Sequence, residues 1–383
     1  MRLLINCSII HGGGTLQVAL SFIRECIDSP ENEYHVFLST QTLLQIDQKL
    51  FPDNFRFYHI KNSPSSLKHS ISVIRLMKRL EYEINPDCIL TVFGPAYWTP
   101  KCPHLIGYAL PYYIYPEYLK LVGFSYNDLL LTLIKKSIHR YLFKRNAYYY
   151  FSETTDVSVR LSRFLNINKN RVFTVGNTYS NVFNKPVKNS YILPLKDEHE
   201  FRLLTVSAYY IHKNLEIIER IIPLLKKSGI KFKFVLTLPE NIYKLKFKKN
   251  FDSIINVGPV PLRIVPYLYE NSDALFLPTL LECFSATYPE AMKMKKPILT
   301  SDLSFAHDIC GEAAEYFDPL DPEDIANKII NLVNNKDRQA ELIKKGNKQL
   351  LFFETPRSRA LKLLEICENI SGKNGPNHSS QNK

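Results

Sequence analysis

Short runs of β-branched, aromatic and leucine side chains alternate along the chain with longer stretches whose apolar residues recur every three or four positions. The first pattern suits strands buried on both faces, the second the helices that cover them. In the first half, strands are predicted over 3–6, 34–38, 88–92, 105–110, 147–151 and 172–175, and helices over 16–27, 67–82, 126–143 and 155–165. Residues 177–196 are rich in Asn, Pro and Lys and lack a period, so they read as a linker. A second series follows, with strands over 203–206, 232–237, 254–257, 274–277, 298–300 and 314–317. Its helices are expected over 215–227, 265–270, 290–294 and 322–334, with two more near the end separated by Pro356. The alternation predicts an α/β fold of two doubly wound, Rossmann-like domains.

Composition narrows this picture. A length of 383 residues suits two domains, and 45% hydrophobic with 22% charged residues describes a packed globular chain. No apolar stretch approaches the ~18 residues that a membrane helix needs. The first residues, MRLLINCSIIHGGG, read as a strand rather than a secretory signal. Seven scattered cysteines without a CxxC pair indicate neither a disulfide framework nor a zinc site, so a reducing cytoplasm is expected. The formal charge is +12, and residues 1–185 hold 21 basic against 13 acidic side chains, +8 of that excess. Such a bias suggests an anionic partner: nucleic acid, a phosphate-bearing ligand or an acidic membrane surface.

The strongest chemical signal is LPTLLECFSATYPEAMKMKKPILTSD (277–302). A strand ends there, a loop follows and a helix begins near Pro289, the strand-end position at which open α/β sheets bind ligands. Amides at a helix start favour phosphate. Glu282 and Glu290 flank the turn with seven residues between them, and carboxylates accept hydrogen bonds from sugar hydroxyls well. A plainer reading stands beside this: Thr287-Tyr-Pro-Glu290 fits a capping box, and Glu282 could be a solvated loop residue.

Residues 200–335 resemble the donor domain of retaining GT-B glycosyltransferases of family GT4, often called group 1. The resemblance runs through SAYYIHKNLEII (207–218), NVGPVP (256–261), LYENSDALFLPTLLECFSATYPEAM (268–292) and KKPILTSDLSFAHDICGEAAEYFDPLD (295–321). Glu282 and Glu290 stand at the family's E-x7-E pair. The first half matches more loosely, through HGGGTLQVAL (11–20) and VFGPAYWTP (92–100).

The resemblance implies a GT-B architecture with two Rossmann-like domains facing across a cleft: 1–185 for the acceptor, 186–353 for a nucleotide sugar. A helix over 354–370 would pack back on the first domain, before a disordered tail, 371–383. It implies that Glu290 holds ribose hydroxyls, that Glu282 contacts the donor sugar, and that amides around Phe284, Ser285 and Ala286 meet the sugar and diphosphate. Lys213 would neutralise the diphosphate leaving group, and main chain from Gly258 to Val260 would touch the base. Gly13 and Gly14, in the first strand–helix turn with Gly12, resemble the family's loop facing the diphosphate, although HGGGT alone fits neither a dinucleotide fingerprint nor a P-loop.

The chain departs from the family in two places. Ser207-Ala208 stand where Gly-Arg is common, and the stretch LIGYALP (105–111) lacks the first-domain His. No catalytic base is assigned; His104 and His11 read as structural, and His212 as a neighbour of the site. No Asp-x-Asp occurs, so neither metal nor other cofactor is expected.

The segment DLLLTLIKKSIHRYLFKR (128–145) sets Lys135, Lys136, His139, Arg140 and Lys144 largely opposite its leucines and isoleucines. A basic amphipathic helix can lie on an anionic membrane, but the preferred reading is a surface helix with its apolar side packed inward. The expected function is retaining transfer of a sugar from a nucleoside diphosphate sugar to a saccharide acceptor, carried on a lipid, in cell-surface polysaccharide assembly. The setting would be cytoplasmic, with room for a peripheral position on the cytoplasmic face of the inner membrane. One rival is a catalytically silent GT-B module. Another is a nucleic-acid binder, for which no recognition motif is present, so no nucleic-acid partner is expected.

Overall fold

A computed structural model of the protein describes residues 1–66, 68–185, 192–249 and 251–372. Leu67, part of the predicted linker (186–191) and the predicted tail from Lys373 onward lie outside the described residues. The chain forms two compact units. Met1–Ile114, Ser125–Asn177 and the chain from Glu354 make the first; Tyr115–Phe124 and Thr178–Phe353 make the second. Residues 115–124 and 178–185 thus cluster with the second unit.

The first unit runs β1 (Arg2–Cys7), α1 (Gly13–Glu25), β2 (Glu33–Leu38), α2 (Thr40–Leu43), β3 (Phe55–His59), α3 (Ser70–Ile84), β4 (Cys88–Thr91), β5 (His104–Gly107), α4 (Pro111–Ile114), α5 (Tyr126–Asn146), β6 (Tyr149–Ser152), α6 (Thr155–Leu165) and β7 (Val172–Thr174). Its seven strands lie in the order β3-β2-β1-β4-β5-β6-β7, all parallel. The order reverses between β1 and β4, which makes that gap the sheet's switch point. Leu3, Ile5 and Cys7 of β1 pack with Ala19, Leu20 and Ile23 of α1 and with residues of the last helix. Gly107 closes β5 because nothing larger fits: an added Cβ would lie 1.9 Å from the Val92 oxygen.

The second unit runs β8 (Phe201–Thr205), α7 (Ile217–Lys227), β9 (Phe232–Leu236), α8 (Glu240–Lys246), β10 (Ile254–Asn256), α9 (Val265–Glu270), β11 (Ala274–Leu277), α10 (Thr287–Lys293), β12 (Ile298–Ser301), α11 (Ser304–Cys310), β13 (Ala314–Phe317), α12 (Pro322–Asn334) and α13 (Lys336–Leu350). Its parallel sheet has the order β10-β9-β8-β11-β12-β13, with the switch point between β8 and β11. Ile217, Ile218, Ile221, Ile222 and Leu225 recur at helical spacing, so α7 buries one apolar face on the sheet. Segment 115–124 joins this unit through Tyr118, whose hydroxyl donates to the Ser304 Oγ at 3.0 Å and accepts from the Ser304 amide.

α14 (Pro356–Ile370) returns to the first unit. Arg359 is buried there, with Nη1 donating to the Asn177 Oδ1 and Nη2 to the Val18 carbonyl, while Asn177 Nδ2 donates to Glu153. Ala360, Leu363, Leu364 and Cys367 complete the core beside α1.

The preferred reading of residues 128–145 is overturned. Leu130, Leu131, Leu133, Ile134 and Ile138 are exposed, and only Phe143 and Asn146 of α5 are buried. The helix stands on a few residues of its C-terminal half, so its apolar side is not the side facing the core.

Candidate active site

Both chain segments that leave the β8/β11 switch point carry chemistry. After β8 the chain runs through a short 3-10 turn, Ile211–Lys213. Asn214 follows in the left-handed conformation (φ 54°) and turns the chain into α7, its Nδ2 donating to the Pro319 carbonyl. After β11 the chain leaves through Pro278 and Thr279 to Glu282. The two segments are stitched together by the His212 carbonyl, which accepts from the Leu280 amide at 2.7 Å and from the Thr279 Oγ1 at 3.2 Å.

This brings Lys213 and Glu282 into direct contact, Nζ donating to Oε1. Their side chains are only 12% and 11% exposed. Such a pair is held in a partly dry setting, where each charge depends on the other. The Thr279 Oγ1 also reaches the Glu282 Oε1 at 3.4 Å. His212 stacks on the Tyr210 ring, and burial beside the Lys213 charge pushes its imidazole down to about 3, so it is neutral at working pH.

Past Glu282, Phe284, Ser285 and Ala286 form the turn into α10. The capping box is not formed: Thr287 is the first helical residue, Ala286 caps without a side chain, and the Ser285 and Thr287 hydroxyls bond each other at 2.9 Å. Glu290 is buried instead. Its Oε2 accepts from the Tyr269 hydroxyl of α9 at 3.4 Å, and burial pushes its carboxyl up to about 7 against the smaller, lowering effect of that bond. The Tyr269 hydroxyl also donates to the Thr287 carbonyl. A carboxyl buried with one weak donor is costly in isolation and suits a ligand that brings hydroxyls to it. Gly258 lies past β10 on the same strand-end edge, with φ at 72° and open space where a side chain would be.

Gly13 and Gly14 belong to the first unit, at the β1/β4 switch point. Gly13 needs its lack of a Cβ, since its φ is 66°. Gly12 and Gly14 face open space. Beside them lies a cavity of about 220 Å³, lined in part by Ile10, His11, Thr15, Phe93, Tyr97 and His139. His104 is structural, bonded to the Thr91 hydroxyl and the Asn146 carbonyl, both at 2.8 Å. Sequence reasoning missed Thr279 and Tyr269, which position the two glutamates: Tyr269 lies 21 residues from Glu290, beyond any local pattern.

Residues 194–349 match the family model of glycosyl transferases group 1. That match falls within the second unit. No curated protein matches the chain. Among solved structures, a glycosyltransferase from Rickettsia africae is similar to this chain at 15% identity and a TM-score of 0.70, over 98% of this chain and 99% of that one. WaaG, a glycosyltransferase involved in lipopolysaccharide biosynthesis, is similar at 13% identity and 0.71, over 96% and 99%. Anabaena Alr3699/HepE, solved with UDP and glucose, is similar at 14% identity and 0.70, again over 96% and 99%. The chain therefore has the GT-B fold.

Proposed function

We propose that this protein is a retaining glycosyltransferase of group 1 that moves a sugar from a nucleoside diphosphate sugar to a saccharide acceptor carried on a membrane lipid, in cell-surface polysaccharide assembly. The observation that carries the reading is the buried Lys213–Glu282 pair at the β8/β11 switch point of a group 1 domain. An ammonium there can exchange its carboxylate partner for the diphosphate and stabilise charge as it develops on the leaving phosphate. Glu282, released from the lysine, is then free to accept from a donor-sugar hydroxyl. Glu290 accepts from the ribose, amides of Phe284, Ser285 and Ala286 meet the sugar and diphosphate, and Gly258 lies along the base.

In the reaction, the bond from the anomeric carbon to the diphosphate oxygen breaks as the acceptor oxygen bonds to that carbon on the same face. The acceptor proton passes to the departing phosphate oxygen, so no side-chain base or metal is assigned. Support for a nucleotide-sugar donor comes from the structures with UDP and with UDP-glucose bound to Alr3699/HepE. The test is a thermal-shift panel of nucleotide sugars, followed by donor turnover with any that binds. Stabilisation by one nucleotide family, lost in Glu290→Ala, supports the reading; a flat response across the panel overturns it. Binding without turnover toward any saccharide would instead favour a silent nucleotide-sugar module.

A further inference from the structure

We propose that the outward face of α5 is a docking surface for an anionic lipid bilayer. The helix has a defined inner side. Phe143 and Asn146 are buried, His139 sits against the rings of Tyr97 and Tyr113, and the Lys136 ammonium lies 5.7 Å from the Phe164 ring centre. These residues follow one another at intervals of three or four, which is one stripe of a helix. The stripe opposite runs through Tyr126, Leu130, Leu133, Ile134, Ile138 and Tyr141, with Ile138 53% and Tyr141 60% exposed. A 21-residue helix that turns most of its leucines and isoleucines to solvent, and Lys136 and His139 inward, has an apolar face awaiting a partner.

Charge decides which partner. Lys135, Arg140, Lys144 and Arg145 are exposed on the same helix, and its one carboxylate, Asp128, is engaged by the Ser125 hydroxyl at the N-cap. A second copy of the chain meeting this face about a two-fold axis would set those cations against their own images, which is repulsive. Anionic headgroups pair with them, while the side chains between reach into the acyl boundary and the lysine stems lie flat along it. Tyrosines at both ends suit the headgroup level.

A second basic helix adjoins. The loop after β4 ties α5 to α3, through the Tyr97 amide to Asn146 on one side and the Trp98 Nε1 to Glu81 on the other. α3 exposes Arg75, Lys78 and Arg79. Among the described residues no helix is long and apolar enough to cross a membrane, so the contact is a surface one. The inference uses no donor-site residue and stands or falls apart from the transfer reading.

The test is vesicle flotation of the full-length protein, with phosphatidylcholine alone and with about a third phosphatidylglycerol. The parent should float with the anionic vesicles and not with the neutral ones. Ile134→Asp with Ile138→Asp should lower partition at least tenfold. Lys144→Ala with Arg145→Ala should lower it about 25-fold, from roughly fivefold per cation removed. Unfolding midpoints and nucleotide binding of both variants should match the parent, because the changed side chains are exposed. Equal flotation of the aspartate pair and parent would overturn the proposal, as would no flotation of the parent. A parent that is dimeric by light scattering, and that Ile134→Asp renders monomeric, would overturn it in favour of a second copy.

Discussion

Lys213 and Glu282 neutralise one another before any ligand arrives, and that pairing decides what each substitution does. Lys213→Ala leaves a partly buried carboxylate without its partner, so the variant should lose stability as well as turnover, the latter by about 10² to 10³. Adding Glu282→Gln should restore the melting temperature and leave turnover depressed. Recovery of both in the double variant would show the lysine to be structural. Glu290 makes the reverse case. Its folded pKa lies near 7, above the ordinary 4.5 of the unfolded chain, so the fold holds a proton that the unfolded state has shed. That favours the fold at low pH and is lost as pH rises from about 4.5 through 7, a cost near 3 kcal/mol on completion. Glu290→Gln should therefore raise the melting temperature at pH 8, change it little at pH 4.5, and weaken nucleotide binding at both. An equal melting shift at the two pH values would remove the carboxyl as its origin. The E-x7-E spacing marked the acids, but Tyr269 reaches Glu290 through the fold from 21 residues away. Thr279, three residues before Glu282, was within local reach, yet a threonine at that spacing carries no signal of its own.

At the scale of elements, the sequence exposed what periodicity can expose. The central strand β11, buried along its whole length, was read to the residue because its apolar run ends sharply. β3 escaped: Phe55–His59 reads FRFYH, an edge strand whose basic and half-buried residues carry no continuous apolar signal. The seven-residue helices α8 and α11 escaped as well, each starting without a side-chain cap. α5 was found and its orientation misread, because amphipathic reasoning assumes that the apolar side faces the core. β5 also depends on Gly107, which lies within the predicted strand 105–110 and carries no signal of its own in the sequence. Gly107→Ala puts a methyl against the Val92 oxygen and within 2.5 Å of the Phe151 ring, so a loss of about 1–3 kcal/mol or more is expected in chemical denaturation.

Across the whole molecule, two buried histidines set the acid limit. His104 and His212 are held down to about 4 and about 3, chiefly by burial, so below pH 6.5 the unfolded chain gains protons that the folded one refuses. Stability should decline from pH 6.5 toward 4 by this route, and His104→Asn should flatten that decline in calorimetry if the variant keeps its bond to Thr91. The first unit also depends on chain from the far end. Arg359→Met would leave Glu153 and Asn177 buried without their guanidinium, a loss of about 3 kcal/mol. The path of the backbone carries a practical consequence. It passes from one unit to the other after Ile114, back after Phe124, over again after Asn177 and home after Phe353. Neither half of the protein is a continuous stretch of gene. A fragment stopped at Phe353 leaves Leu3, Leu20 and Phe22 bare where Ala360 and Leu363 should lie, so it should precipitate, while adding residues 354–372 as a separate peptide should rescue it.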